Sequence, residues 1–199
     1  GFAKVKSFTT SAIPRQKRTA KDAYAESSQR SSADGMRILG IDPGYATVGF
    51  GVVDYVNSKF TCVDYGAIQT PAKTPFEDRL EQLFDDMSKL VEYYKPETVA
   101  FEELFFNTNT TTAIKVAQGR GVLLLAARKK GLECFEYTPL QVKQAVVGYG
   151  RAEKMQVMLM TQRLLNLPKL PRPDDAADAL AIAICHGNSM NMRNLKIRV

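Results

Sequence analysis

Histidine is almost missing from this chain: His186 is the only one in 199 residues. A metal centre built on several imidazoles is therefore excluded, and a Ser-His-Asp triad is disfavoured. Cysteine is scarce too. Cys62, Cys134 and Cys185 are odd in number, far apart, and form neither a CxxC pair nor a metal-ligand spacing. That usage implies free thiols in a reducing, cytoplasmic setting. No apolar run is long enough to cross a bilayer, and no internal repeat is present. Excess positive charge is also smaller than it first looks. Seven of the 27 bases and three of the 21 acids lie in residues 1–35, which leaves 20 bases against 18 acids in the rest of the chain. A nucleic-acid ligand would have to be met by a local patch, not by a strong global field.

Residues 1–35 carry no periodic apolar pattern and are rich in Ser, Thr, Ala, Lys and Arg, a composition that predicts disorder. Met36 opens a strand, so residues 1–35 are expected to be a vector-derived leader, with an organellar transit peptide as the rival origin. From residue 36 the pattern is regular and 45% of the chain is hydrophobic, enough for one substantial core. RILGID and TVGFGVVDYV are apolar strands joined at Pro43-Gly44, and KFTCVDYGAIQ completes a three-stranded meander after Asn57-Ser58. Phe76, Leu80, Leu83, Phe84, Met87, Leu90, Val91 and Tyr94 recur at helical spacing. ETVAFEEL is then a strand reached by a helical crossover, hence parallel to the first strand. Helices follow at about 110–130, from Thr138-Pro139 through Val147, over 152–167, and from Asp174 to Asn188, with LECFEY as a fifth strand. The expected fold is α/β: a five-stranded mixed sheet, three antiparallel then two parallel strands, flanked by helices. Its domain is residues 36–188, with 189–199 as a flexible basic tail.

Four acids stand at the ends of apolar elements: Asp42 after MRILGI, Glu102 after TVAF, and Asp175 with Asp178 in PDDAADALAIAI. A carboxylate in such a place is costly unless something positive neutralises it. For Asp42 two readings stay open, a turn aspartate bonding its own backbone or a carboxylate at the strand end where open α/β sheets bind ligands. Glu102 is disfavoured in a strand, while Glu103 alternates to the opposite face. Asp174 and Asp175 could simply satisfy a helix N-terminus. That explanation fails for Asp178, which leads into an all-apolar ALAIAIC and shares a helix face with Asp175. Asp174 is the competing partner. Oxygen ligands alone suit hard cations such as Mg²⁺ or Mn²⁺, and paired ions can hydrolyse a phosphodiester without a side-chain nucleophile.

MRILGIDPGYATVGFGVV, VAFEELFF, QGRGVLLLAA, QVKQAVVGYGRAEKMQV and DDAADALAIAICH together resemble the RuvC family of bacterial Holliday-junction resolvases, in the same order from Met36 to about His186. The resemblance implies a ribonuclease H-like fold, a homodimer, Mg²⁺-dependent paired nicking of four-way junction DNA, and cooperation with a branch-migration complex of the RuvA and RuvB type. It assigns Asp42, Glu102, Asp175 and Asp178 as metal ligands and catalytic acids. Lys143 and Lys154 match family lysines that serve catalysis or DNA contact, where a lysine offers a point charge to phosphate. Phe105 matches an aromatic that stacks on bases. Glu103 stands where the family often has glutamine. Lys115, Arg120, Arg128, Lys129 and Lys130 are further basic residues for phosphate contact. Rival classes are an ATP-handling protein of the actin and sugar-kinase type, for whose duplicated domain the chain has no room, a non-catalytic junction scaffold, and an RNA nuclease of the same fold.

Overall fold

In the computed structural model, residues 8–10, 35–104 and 110–196 are described. Strands β1 (Phe8–Thr10), β2 (Gly35–Asp42), β3 (Thr47–Val56) and β4 (Lys59–Gln69) precede helix α1 (Phe76–Tyr94). Then come β5 (Thr98–Glu102), α2 (Thr110–Lys129), β6 (Glu133–Tyr137), α3 (Pro139–Val147), α4 (Lys154–Leu164) and α5 (Asp174–Lys196). The sheet order is β1-β4-β3-β2-β5-β6. β2, β3 and β4 pair antiparallel, and β5 runs parallel to both β2 and β6. This is the mixed sheet expected from the alternation of apolar segments.

Period-two alternation in β2 sends its residues to two different cores. Leu39 and Ile41 pack with Val48, Phe50, Val99 and Phe101 under α1 and α2. Ile38 faces the other way, toward Leu180, Ala183 and Ile184 of α5. α1 buries Leu83, Met87, Leu90, Val91 and Tyr94, the stripe its spacing predicts. At α3, Thr138 and Gln141 form a reciprocal capping box with Pro139 at the first position. Among the described residues no helix is long and apolar enough to cross a membrane.

Two boundaries differ from expectation. Phe8–Thr10, placed by composition outside the fold, pairs antiparallel with Gly66–Ile68 as a sixth, edge strand. Phe-Thr-Thr is β-prone, and β4 otherwise offers unpaired backbone groups along the sheet edge. The polar tail expected to fray after Asn188 continues α5 to Lys196. No Pro or Gly interrupts it beyond Gly187, and two polar side chains at its start find backbone acceptors. Asn188 Nδ2 donates to the Ala145 carbonyl at 3.2 Å, and Ser189 Oγ to the Cys185 carbonyl at 2.8 Å.

Candidate active site

The parallel register explains why two distant acids meet. Ile41 pairs with Phe101, so Asp42 and Glu102 lie one step further along neighbouring strands. Phe101 packs under α1 and α2, while Ala100 joins the opposite core. By alternation Glu102 shares the face of Ala100, and Asp42 that of Ile38 and Gly40. Both carboxylates therefore point to the α5 side, at the carboxyl ends of their strands.

Strand glycines bring α5 down onto this face. A Cβ on Gly40 would sit 2.1 Å from the Ala179 carbonyl oxygen, one on Gly49 2.0 Å from that of Asp175, and one on Gly51 2.8 Å from the Leu180 nitrogen. Gly49 is the ladder partner of Asp42, and Gly51 that of Gly40. The helix backbone thus lies where side chains would normally stand. Its first two turns, carrying Asp175 and Asp178, are held over Asp42 by this contact. Further along the helix, Gly187 packs against the Phe60 ring and Ile38.

Charge crowding is the electrostatic result. Burial first, then Glu102, Asp178 and Asp175, push the Asp42 carboxyl up to about 8, against the opposing pull of Lys154. Burial and Asp178 raise Glu102, while Lys154 and Lys143 lower it. Asp178 is likewise raised by burial, an effect opposed by its hydrogen bond from Lys154. Lys154 Nζ lies 2.9 Å from Asp178 Oδ2 and 3.7 Å from Asp174 Oδ2, and its own pKa rises chiefly through the bond to Asp178. Asp174 is also held by Arg172. Asp175, not Asp174, is the one of the pair whose charge bears on Asp42.

Glu102, Lys143, Lys154 and Asp178 line a cleft of about 240 Å³. Asp42 does not line it but interacts with Glu102, Asp178 and Lys154, which do. Among the described residues, no three acidic, cysteine or histidine side chains are already gathered at ligand distance from one point. The fold brings the four acids close enough to raise the Asp42 carboxyl together, and the Lys154 ammonium pairs with Asp178. The donor chemistry still fits a hard divalent cation: the ligands are all oxygens, and one ammonium offsets only part of their mutual repulsion.

Other predicted contacts fare differently. Phe105 lies outside the described residues. Arg120 is taken up by Glu136 at 2.6 Å, and its guanidinium lies 6.0 Å from the Phe101 ring, so it is not a free phosphate contact. Arg128 donates to the Leu132 carbonyl at the end of α2, and Lys130 pairs with Glu92 at 2.5 Å. Lys129 is exposed. Lys115 sits over the Tyr45 and Phe76 rings at 5.9 and 5.7 Å. His186 is a core residue, its Nδ1 2.8 Å from the Tyr137 hydroxyl and its ring 4.4 Å from that of Phe135.

One support went unforeseen. Buried Arg79 donates through Nε to Thr70 Oγ1 at 2.8 Å and lies 4.6 Å from the Tyr45 ring. Thr70 in turn donates to the Tyr45 carbonyl at 2.6 Å and, through its amide, to that of Ala46 at 3.0 Å. These bonds fix the turn that follows Asp42. An arginine inside the α1 stripe was the only available signal.

Comparison with known proteins gives the family. The sequence profile described as "Crossover junction endodeoxyribonuclease RuvC" matches residues 38–186. A crossover junction endodeoxyribonuclease RuvC from Ruminiclostridium cellulolyticum is 58% identical over 157 residues, 79% of this chain and 95% of that protein. The Thermus thermophilus RuvC structure superposes with a TM-score of 0.75 at 36% identity, covering 79% of this chain and 97% of the other. T. thermophilus RuvC in complex with Holliday junction substrate gives a TM-score of 0.73 at 34% identity, covering 79% and 96%. Strand order, the acid-lined cleft and this extent of identity converge: the chain belongs to the RuvC family of crossover junction endodeoxyribonucleases.

Proposed function

We propose that this chain cuts four-way DNA junctions by divalent-cation-dependent hydrolysis, with Asp42, Glu102, Asp175 and Asp178 as the cation ligands. The observation that carries the reading is the Asp42 carboxyl, buried among Glu102, Asp178 and Asp175 and pushed up to about 8. Such a group is stable as a carboxylate only beside added positive charge. Bound Mg²⁺ or Mn²⁺ would supply an activated water and neutralise charge on the leaving oxygen. Lys143 and Lys154 flank the same cleft, where their ammonium groups would hold the scissile phosphate. Before substrate arrives, Lys154 neutralises Asp178. Its transfer to phosphate would free that carboxylate for a cation. Phe105 keeps the base-stacking role that the family resemblance gives it.

Junction DNA is the substrate because the similar T. thermophilus protein was solved with Holliday junction substrate. Paired cutting needs two clefts, hence a homodimer. Ile114, Gln118, Gly121 and Leu125 fall on one stripe of α2 and are exposed, and a Cβ on Gly121 would meet nothing within 4 Å. A small residue between exposed apolar ones suits close approach of a second copy of α2 across a twofold axis. Cooperation with a branch-migration complex and a cytoplasmic location complete the proposal.

The direct test compares a mobile four-way junction, linear duplex and structured RNA with Mg²⁺ present. Junction-selective, metal-dependent cutting is expected. Equal cutting of all three would remove junction resolution as the function.

A further inference from the structure

The turn at residues 148–153 joins α3 and α4, the helices that bring Lys143 and Lys154 to the cleft. Gly148 closes α3 in a left-handed conformation at φ 94°. Gly150 then lies so near Leu140 that a Cβ on it would sit 2.1 Å from Leu140 Cδ1. The turn therefore folds back over the first turn of α3, where Pro139 lines the cleft. Between these two glycines stands Tyr149.

Tyr149 is held yet open. Its hydroxyl donates to Gln156 Oε1 at 3.0 Å, the same oxygen that accepts the Glu153 amide at 2.8 Å at the start of α4. The residue as a whole nevertheless remains 47% exposed, and Leu140 beside the turn is 59% exposed. No other aromatic ring stacks on Tyr149 among the described residues. A phenol fixed at its hydroxyl edge presents its faces with little rotamer freedom left to lose.

We infer that Tyr149 is a stacking platform for an unpaired nucleobase of the DNA substrate at the mouth of the cleft, an inference that rests on the nuclease reading above. The surrounding charge favours a nucleotide over an apolar protein segment. Arg151, two residues on, is exposed and makes no ion pair among the described residues. Lys143 and Lys154 lie on the adjoining helices, and Glu153 is the only acid of the turn. Cations beside a free aromatic face are the arrangement by which single-stranded nucleic acid is held: phosphates to the bases of the protein, nucleobase to the ring.

The test uses the full chain, without divalent cation so that no strand is cut, and four-way junctions carrying one 2-aminopurine at successive positions near the crossover. Tyr149→Ala is expected to weaken junction binding by about 5- to 150-fold, the range that corresponds to loss of one stacked base. It should also abolish the fluorescence change at one position. Tyr149→Phe keeps the ring and should bind closer to wild type than the alanine variant. An abasic site at the responding position should erase the difference between wild type and Tyr149→Ala. Equal binding and an equal fluorescence change for Tyr149→Ala, with its thermal unfolding unaltered, would overturn the inference. So would a binding loss that persists with the abasic junction, which would mean that the ring touches something other than a base. If the wild-type chain binds junction no better than duplex, the junction-cutting reading itself fails, and the platform with it.

Discussion

Replacing Asp42 by asparagine separates the two things that this carboxyl does. In the folded chain it keeps its proton up to about pH 8, whereas its ordinary value is 3.8. Between those values the folded state binds more protons than the unfolded state, so stability falls as pH rises through this window. At pH 7 the gap from 3.8 is roughly 3 units, which at about 1.4 kcal/mol per unit amounts to about 4 kcal/mol. Water at the open side of the cleft screens part of this, leaving about 2–4 kcal/mol. Asparagine has nearly the same shape and never ionises. Without divalent cation, Asp42→Asn should therefore melt roughly 5–15 °C above wild type at pH 7–8, and the advantage should vanish near pH 4. Added Mg²⁺ should reverse the order, raising the wild-type melting temperature by mass action and leaving the variant little changed. Junction cutting should be lost in the variant while junction binding persists. A variant no more stable than wild type at pH 8 would refute the claim that burial and neighbouring acids hold the Asp42 proton.

Three further outcomes follow from the same geometry. Lys154→Met removes the cation that lowers the pKa values of Asp42, Glu102 and Asp178, so the residual cutting rate should rise with pH later than in wild type. An unshifted pH–rate profile would contradict this. Gly49→Ala places a methyl group 2.0 Å from the Asp175 carbonyl oxygen. Neither backbone can yield without moving α5, so denaturant unfolding should show a loss of about 1–3 kcal/mol, accompanied by reduced cutting. Leu125→Glu on the exposed stripe of α2 should convert a dimer to monomer by sedimentation while leaving the circular dichroism spectrum unchanged. A dimer that survives this charge would place the contact elsewhere.

Much of this protein can be read from local pattern, because local pattern is enough to set each element. Apolar runs bounded by turn residues made β2 through β6 legible, the apolar spacing of residues 76–94 made α1 legible, and Thr138-Pro139 marked the start of α3. The four acids stood out one at a time, as charges at the ends of apolar runs where solvation is lost. Their meeting was not a local property. It depends on β5 pairing with β2 one residue short of Asp42 and Glu102, and on glycines at 40, 49 and 51 that let a helix backbone replace a layer of side chains. Sequence could show those glycines but not which element would fill the space. Partnerships among the long charged side chains were equally hidden. Lys154 reaches Asp178 across 24 residues and Arg120 reaches Glu136, and nothing in their spacing shows that one remains at the cleft while the other is occupied elsewhere. The nature of the elements and the inventory of acids were determined by sequence alone. Tertiary structure decided which charges share a dielectric, since a pKa depends on distance and burial and both exist only after the chain has folded.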